Sequence, residues 1–282
     1  MTEPTYDYAP PVSKLLTMGD VRKQSEWADY RALGLANEHV PELTRMALDE
    51  ELHQAISDTL EVWAPLHAWR ALAQLRAEAA IEPLLELLHR VDEYDDDWTS
   101  EELPIVFGQI GAAAMTPLAK FLADPVHGPW ARAAAADSFT HISRQHPQTR
   151  DRCVTTLARQ LEQFKQVDHT LNAFIISSLI DLKAVETAPV MERAFAAGRV
   201  DLSVTGDWEE VQIALGLLQE RLTPEPGFFF GDPVTSKLQK MLKKWQQARH
   251  QAKLKAQTRA KAQAKTKRKQ QKKARKQKRK RR

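Results

Sequence analysis

The sequence predicts an all-α protein built as a stack of helical hairpins. Three observations predict it. First, three segments share one order of residues: 74–88 (QLRAEAAIEPLLELL), 109–122 (QIGAAAMTPLAKFL) and 181–195 (DLKAVETAPVMERAF). In each, a Leu or Ile ends one apolar run, a short Ala-containing break follows, and a Pro leads into a second apolar run. Second, prolines 41, 83, 117 and 189, with Cys153 standing where one is expected, are spaced by 42, 34, 36 and 36 residues. A period in this range is the mark of helix pairs that bury their faces on their neighbours. Third, alternating runs of Val, Ile and Thr, the signal for strands, are nearly absent.

Proline lacks an N–H and is tolerated in the first helical turn, where that donor has no intrahelical partner. Pro83 and Pro117 therefore mark helix starts. Leu84, Leu87 and Leu88 follow the first, and Leu118, Phe121 and Leu122 the second; both sets share one helical face. Around Cys153 the face is kept by Val154, Leu157 and Leu161. Around Pro41 and Pro189 it shifts by one residue, to Leu43, Met46 and Ala47, and to Met191, Ala194 and Phe195. The count is four to five hairpins.

These segments resemble HEAT-like repeat proteins, of the short-unit kind grouped with phycobilisome-lyase-type repeats and found in bacteria. The resemblance covers roughly 30–220. It implies a HEAT-like α-solenoid that works as a binding scaffold, and it brings no catalytic residues with it.

Taken in order, residues 1–12 are expected to be disordered. Residues 13–222 form the solenoid. It opens with one or two helices over 13–34, broken at Gly19-Asp20, with Trp27 and Tyr30 packed on the array. Leu43, Met46 and Leu48 point inward in the first repeat, and 61–76 is a helix with Pro65 near its start. Residues 92–102, DEYDDDWTSEE, hold seven carboxylates. Thr99 and Glu102 there have capping-box spacing. Gly128-Pro129-Trp130 opens the next helix, and Asp207-Trp208-Glu209-Glu210 repeats the acid-plus-Trp arrangement with the same spacing. Residues 223–235, with Phe228–Phe230 as a plug, cover the end of the array. Residues 236–254 have the pattern of an amphipathic helix, and 255–282 is low-complexity Lys, Arg, Gln and Ala.

Composition bounds the function. The chain has 282 residues, one cysteine and a net charge of +4. That net hides an asymmetry. From Lys237 onward there are 22 Lys and Arg and no Asp or Glu; the first 236 residues hold the other 19 basic residues and all 37 acids, a net −18. No secretion signal, membrane span or disulfide is legible, which suits a reducing cytosol and a cytoplasmic location.

A flexible segment of such charge binds polyanions by releasing condensed counterions, without reading sequence. The expected nucleic-acid contacts, RNA before DNA, are Lys253, Lys255, Arg259, Lys261, Lys265, Lys267, Arg268, Lys269, Lys272, Lys273, Arg275, Lys276, Lys278, Arg279, Lys280, Arg281 and Arg282. Alternatives are a tail that lies on its own acidic body, or one that touches a membrane surface. Equivalent positions of a solenoid line up, so the acids Asp95, Asp96, Asp97, Glu101, Glu102, Asp207, Glu209 and Glu210, with Asp168, are expected on one rim. That rim is a docking surface for a protein partner, set against a plain reading as helix caps. A calcium loop is excluded there, because the spaced acids, central Gly and terminal Glu are missing. No zinc spacing, phosphate loop or cofactor motif is present. Gly108-Gln-Ile-Gly111 lies inside a helical repeat. Cys153 reads as an inert buried thiol, His67 as a hydrogen-bonded structural residue, and Trp63, Trp69, Trp98, Trp130 and Trp208 as packing between units. The expected function is a non-enzymatic adaptor. The competing reading is a HEAT-like enzyme, such as a DNA glycosylase or chromophore lyase.

Overall fold

Successive helices pack side by side in pairs, and the pairs stack. The computed structural model describes residues 6–23, 26–55 and 58–223. Met1–Leu222 forms one compact unit. The second, Thr223–Arg282, lies outside the described residues apart from Thr223. The end cover at 223–235, the Phe228–Phe230 plug, the amphipathic helix and the low-complexity tail therefore fall outside them.

The described residues contain thirteen α-helices and no strand. They are α1 (Val40–Ala47), α2 (Glu50–His53), α3 (Ala64–Leu75), α4 (Ile81–Leu87), α5 (His89–Tyr94), α6 (Asp97–Ile110), α7 (Met115–Ala123), α8 (Pro129–Gln145), α9 (Arg150–Leu161), α10 (His169–Asp181), α11 (Ala188–Ala196), α12 (Leu202–Thr205) and α13 (Trp208–Ala214). One order recurs five times: a 3-10 turn, a first helix, a connection, a second helix. The turns are Asn37–His39, Glu78–Ala80, Ala112–Ala114, Pro147–Thr149 and Val185–Thr187. Pro41, Pro83, Pro117 and Pro189 all fall within the first turn of the helix that follows. First helices α1, α4, α7, α9 and α11 pack in sequence along one layer, and second helices α3, α6, α8 and α10 along the other.

The second layer is the better buried. Trp69 of α3, Phe107 of α6, Phe139 of α8 and Ile176 of α10 are all fully buried. Burying a side chain of this size stabilises by about 1.5–3 kcal/mol. Helix α8 is covered by α6, α7 and α10. Its Ala131 and Ala133–Ala136 lie inside, and small residues let the neighbours approach. Gly108 of α6 meets α8 so closely that a Cβ there would lie 2.7 Å from the Cβ of His141. That contact, rather than a phosphate loop, accounts for this glycine.

The N-terminal segment departs from expectation. Tyr8 is buried and donates to Asp49 at 2.6 Å, and the Ala9 N–H donates to Glu42 at 2.8 Å, so the residues described from Tyr6 onward are ordered against α1 and α2. Among the described residues of 13–34 the helical elements are the 3-10 turns Val12–Thr17 and Val21–Lys23, in place of α-helices. Leu48 is exposed, and Ala47 takes the inward position instead.

This segment is held by a polar cluster beneath the apolar surface. Arg70 of α3 bonds Glu102 of α6 through Nε at 3.0 Å and again through its terminal nitrogen, and its guanidinium lies 5.1 Å from the Trp27 ring. Fully buried Tyr30 bonds His67 Nδ1 at 2.7 Å, and His67 Nε2 lies 2.8 Å from the Gly19 carbonyl. A carbonyl only accepts, so Nε2 carries the proton and Tyr30 donates to Nδ1. Burial pushes the His67 pKa down, and that of His53 likewise.

Two predictions follow from this cluster. Removing one charge, as in Glu102→Gln or Arg70→Met, strands the other in the core and should cost about 3–5 kcal/mol by chemical denaturation. Arg70→Met with Glu102→Leu should cost clearly less than either single change; equal or greater loss would contradict this account of the pair. The histidines set a pH window. Unfolded His titrates near ~6.5, and folded His53 and His67 titrate lower. The unfolded chain therefore binds more protons below that pH, and stability should fall as pH drops from ~6.5 towards 5, while staying flat above. His67→Gln should reduce that slope and leave the share of His53, measured as denaturation midpoints at several pH values.

Candidate functional site

Short helices have more ends than middles, and each end leaves backbone groups unpaired. Here those groups are met partly by the residue just before the helix and partly by side chains reaching from other segments of the chain. Asp168 caps α10 by accepting from Thr170 and Leu171 N–H, and Asp201 caps α12 while accepting from the Thr170 hydroxyl at 3.1 Å. Gly128 precedes α8 and has no side chain to offer. Asp92, from α5, supplies the cap: its two oxygens accept from Trp130 N–H at 3.2 Å and Ala131 N–H at 2.9 Å. A Cβ on Gly128 would lie 2.2 Å from that carboxyl carbon, so the glycine makes room for the visiting acid. Helix C-termini are treated in the same way by cations. Arg150 donates to the Leu182 and Lys183 carbonyls after α10, both at 3.0 Å. Arg132 donates to Leu122 at the end of α7 at 2.8 Å, and Arg31 to Gln74 at the end of α3. Both signs of charge also suit the helix dipole.

The starts of the second helices lie along one edge, joined by rings. Trp63 meets Trp98 edge-on at 5.4 Å, linking α3 to α6; Trp130 meets Phe174 at 5.5 Å, linking α8 to α10; Phe195 meets Trp208 at 5.6 Å, linking α11 to α13. Trp63, Trp98 and the half-exposed Trp130 thus pack between units as expected, whereas Trp208 joins the two helices of one unit and Trp69 lies within another, its indole donating to the Ala47 carbonyl at 3.2 Å.

The expected rim acids fall into three kinds. Asp97, Glu101 and Asp95 are exposed on this edge. Asp96, Asp207, Glu209 and Glu210 are engaged at helix ends. Asp96 caps α6 at Thr99 N–H and pairs with Arg90 at 3.1 Å. Asp207 and Glu210 form the expected capping box, each accepting the other's N–H at 3.0 Å. Arg221 bonds Asp207, holding its carboxyl below the usual range, and the Leu222 N–H donates to Glu209 at 3.1 Å. Glu102 is the third kind and a correction. It is only 8% exposed and turned inward to Arg70, so it does not belong to a docking surface. The Thr99–Glu102 capping box fails with it. Helix α6 starts earlier, behind Asp96, and the Thr99 hydroxyl is buried without a partner. The nucleic-acid residues Lys253 through Arg282 lie outside the described residues.

Sequence reasoning missed Arg70, Asp92 and the cross-capping arginines. For Arg70 a signal existed, a lone cation inside the apolar helix APLHAWRALAQL. The others needed the three-dimensional neighbour. Cys153 is fully buried, its thiol 3.8 Å from the Thr149 hydroxyl, and burial pushes its pKa up, away from a nucleophilic thiolate. At the opposite ends of the second helices lies a cleft of about 600 Å3 lined by Trp27, Asp29, Arg31, Gln74, Arg76, Gln109 and His146, among others. Asp29 there accepts from the Ala32 N–H at 3.0 Å. Among the described residues, no group of three or more His, Cys, Asp or Glu is placed to hold a metal, and no single helix is long and apolar enough to cross a membrane.

The fold and these edges define an all-α protein of paired, mutually capped helices. Residues 32–224 match the family model described as Protein of unknown function (DUF1186), and the chain belongs to that family. No curated protein and no solved structure matches it.

The cross-cap is testable. Asp92→Ala and Gly128→Ala should each lower stability by about 0.5–2 kcal/mol by uncapping α8. The double variant should lose little more than either alone, because one interaction is removed twice. Full additivity in denaturant melts would show that the two residues act separately.

Proposed function

We propose that this chain is a non-enzymatic adaptor: a HEAT-like helical array that docks a protein partner, carrying a Lys/Arg tail that binds nucleic acid, RNA before DNA, without reading sequence. The observation that carries the reading is the charge split, 22 basic residues and no acids from Lys237 onward against a net −18 before it. An acidic body repels a phosphate backbone, so attachment to a polyanion falls to the tail. The HEAT-like naming is supported by the fivefold order of 3-10 turn and two helices at the period of such arrays. The partner's side of the reading is supported by Asp97 and Glu101, exposed beside the capped helix starts and suited to a basic partner. A single buried thiol suits the cytoplasm.

A second reading, an enzyme acting on nucleic acid, draws on the cleft that brings Trp27, Asp29, Arg31 and Arg76 together. It is the weaker one. Asp29 is engaged as a turn cap, Trp27 lies under Arg70, and Arg31 is held by the Gln74 carbonyl.

Electrophoretic shifts of a single-stranded RNA decide between tail and body. Full-length protein should bind with log K falling linearly in log salt, by about 0.7 per phosphate contact. Removing 250–282 should abolish binding and leave the helical circular dichroism unchanged. Binding that survives the truncation, or that ignores salt, would refute the tail's role.

A further inference from the structure

In the layer of first helices, the seam between α9 and α11 is closed by ion pairs: Arg150 with Glu186 at 3.0 Å and Arg193 with Glu162 at 2.5 Å. The seam between α7 and α9 is built otherwise. It opens into a groove of about 370 Å3 whose charged lining residues are Lys120, Arg152 and Arg159, with no Asp or Glu. None of the three has an ion-pair partner among the described residues. Arg152, Thr156, Arg159 and Gln163 follow one another at intervals of four, three and four, so they share one face of α9 and its C-terminal turn. Met115, Ala119 and Leu122 of α7 give the groove an apolar floor.

One further residue lines it. Gln160 is only 5% exposed, and its amide nitrogen is buried with no hydrogen-bond partner. Buried amide donors are nearly always bonded in folded proteins, so an orphan donor on a cationic groove marks where a ligand's acceptor belongs. Three uncompensated cations also run against the net −18 of the first 236 residues. Arginine's planar fork matches the oxygens of a phosphate. The Thr156 hydroxyl, already donating to the Arg152 carbonyl at 2.8 Å, holds its own helix rather than the ligand.

We propose that the α7–α9 groove binds a small phosphomonoester. Its dianionic head is held by Lys120, Arg152, Arg159 and the Gln160 amide, and its compact apolar group lies on the α7 floor. The site is built from residues of the helical body and does not depend on the adaptor reading.

Isothermal titration calorimetry on the full chain tests this, with phenyl phosphate, inorganic phosphate and acetate as probes at one ionic strength. Phenyl phosphate should bind saturably at one site and tighter than inorganic phosphate, with acetate weakest. Arg152→Gln with Arg159→Gln should weaken phenyl phosphate at least about tenfold while keeping the fold, since both side chains are exposed. Gln160→Leu should also weaken binding yet leave the ligand-free melting temperature equal or higher, because it removes an unsatisfied donor. Binding unchanged in the double arginine variant would place the phosphate on the tail and overturn the proposal. Acetate binding equal to phosphate, or no saturable binding, would overturn it as well.

Discussion

The constraint on which this structure depends is the satisfaction of helix ends. Helices of four to seventeen residues leave a large share of their backbone groups without an intrahelical partner. Inside a packed array many of those groups are shielded from water, and each needs a partner from the protein. The chain meets that need from the residue before the helix, as at Asp96, Asp168, Asp201 and Asp207, and also across segments. Asp92 caps α8, Asp201 touches the start of α10, Arg150 takes the last carbonyls after α10, and Arg132 takes the last of α7. An interaction that finishes a helix also fixes where its neighbour stands. Capping and docking are thus one set of bonds here, and the apolar faces supply adhesion between elements whose register the polar ends have set.

That division explains what was legible beforehand. Apolar period and proline placement are local properties, so four to five helix pairs are legible from them, and Pro83 and Pro117, read as helix starts, do fall in first turns, as Pro41 and Pro189 do. The Asp207–Glu210 box is local too, and was read correctly. What escaped was non-local. Glu102 has the spacing of a capping partner, but its real partner, Arg70, lies thirty-two residues away. Asp92 looked like one acid in a run, and only the approach of α8 gives it a task. The N-terminal segment reads as one or two helices, yet its described helical residues form 3-10 turns. It is ordered by Tyr8, Tyr30 and His67, whose partners no spacing rule connects.

The same reasoning changes the meaning of the body's charge. A net of −18 suggests a uniformly acidic surface, yet many of the carboxylates are engaged within the protein. Asp92, Asp96, Asp168, Asp201 and Asp207 hold helix starts, and Glu102 is buried. A carboxylate that accepts backbone N–H bonds has part of its field offset by the helix dipole. Most of the other acids among the described residues stay exposed, Asp97 and Glu101 among them, so the surface remains acidic even though part of its charge is spent on helix ends.

Local pairing, not net charge, then decides where anions are tolerated. Along the first-helix layer, α4 presents Glu82 and Glu86, and α11 presents Glu192 as well as the Glu186 that precedes it, whereas α7 carries Lys120 as its one charged residue. Its neighbour α9 turns Arg152 and Arg159 towards it. Charges of one sign placed across a seam repel unless something intervenes, and a seam between packed helices cannot spread far without losing the contacts of Leu118 and Leu157, both fully buried. The apolar core thus holds the three cations together against their repulsion. A counter-anion held in the groove between α7 and α9 would lower that cost.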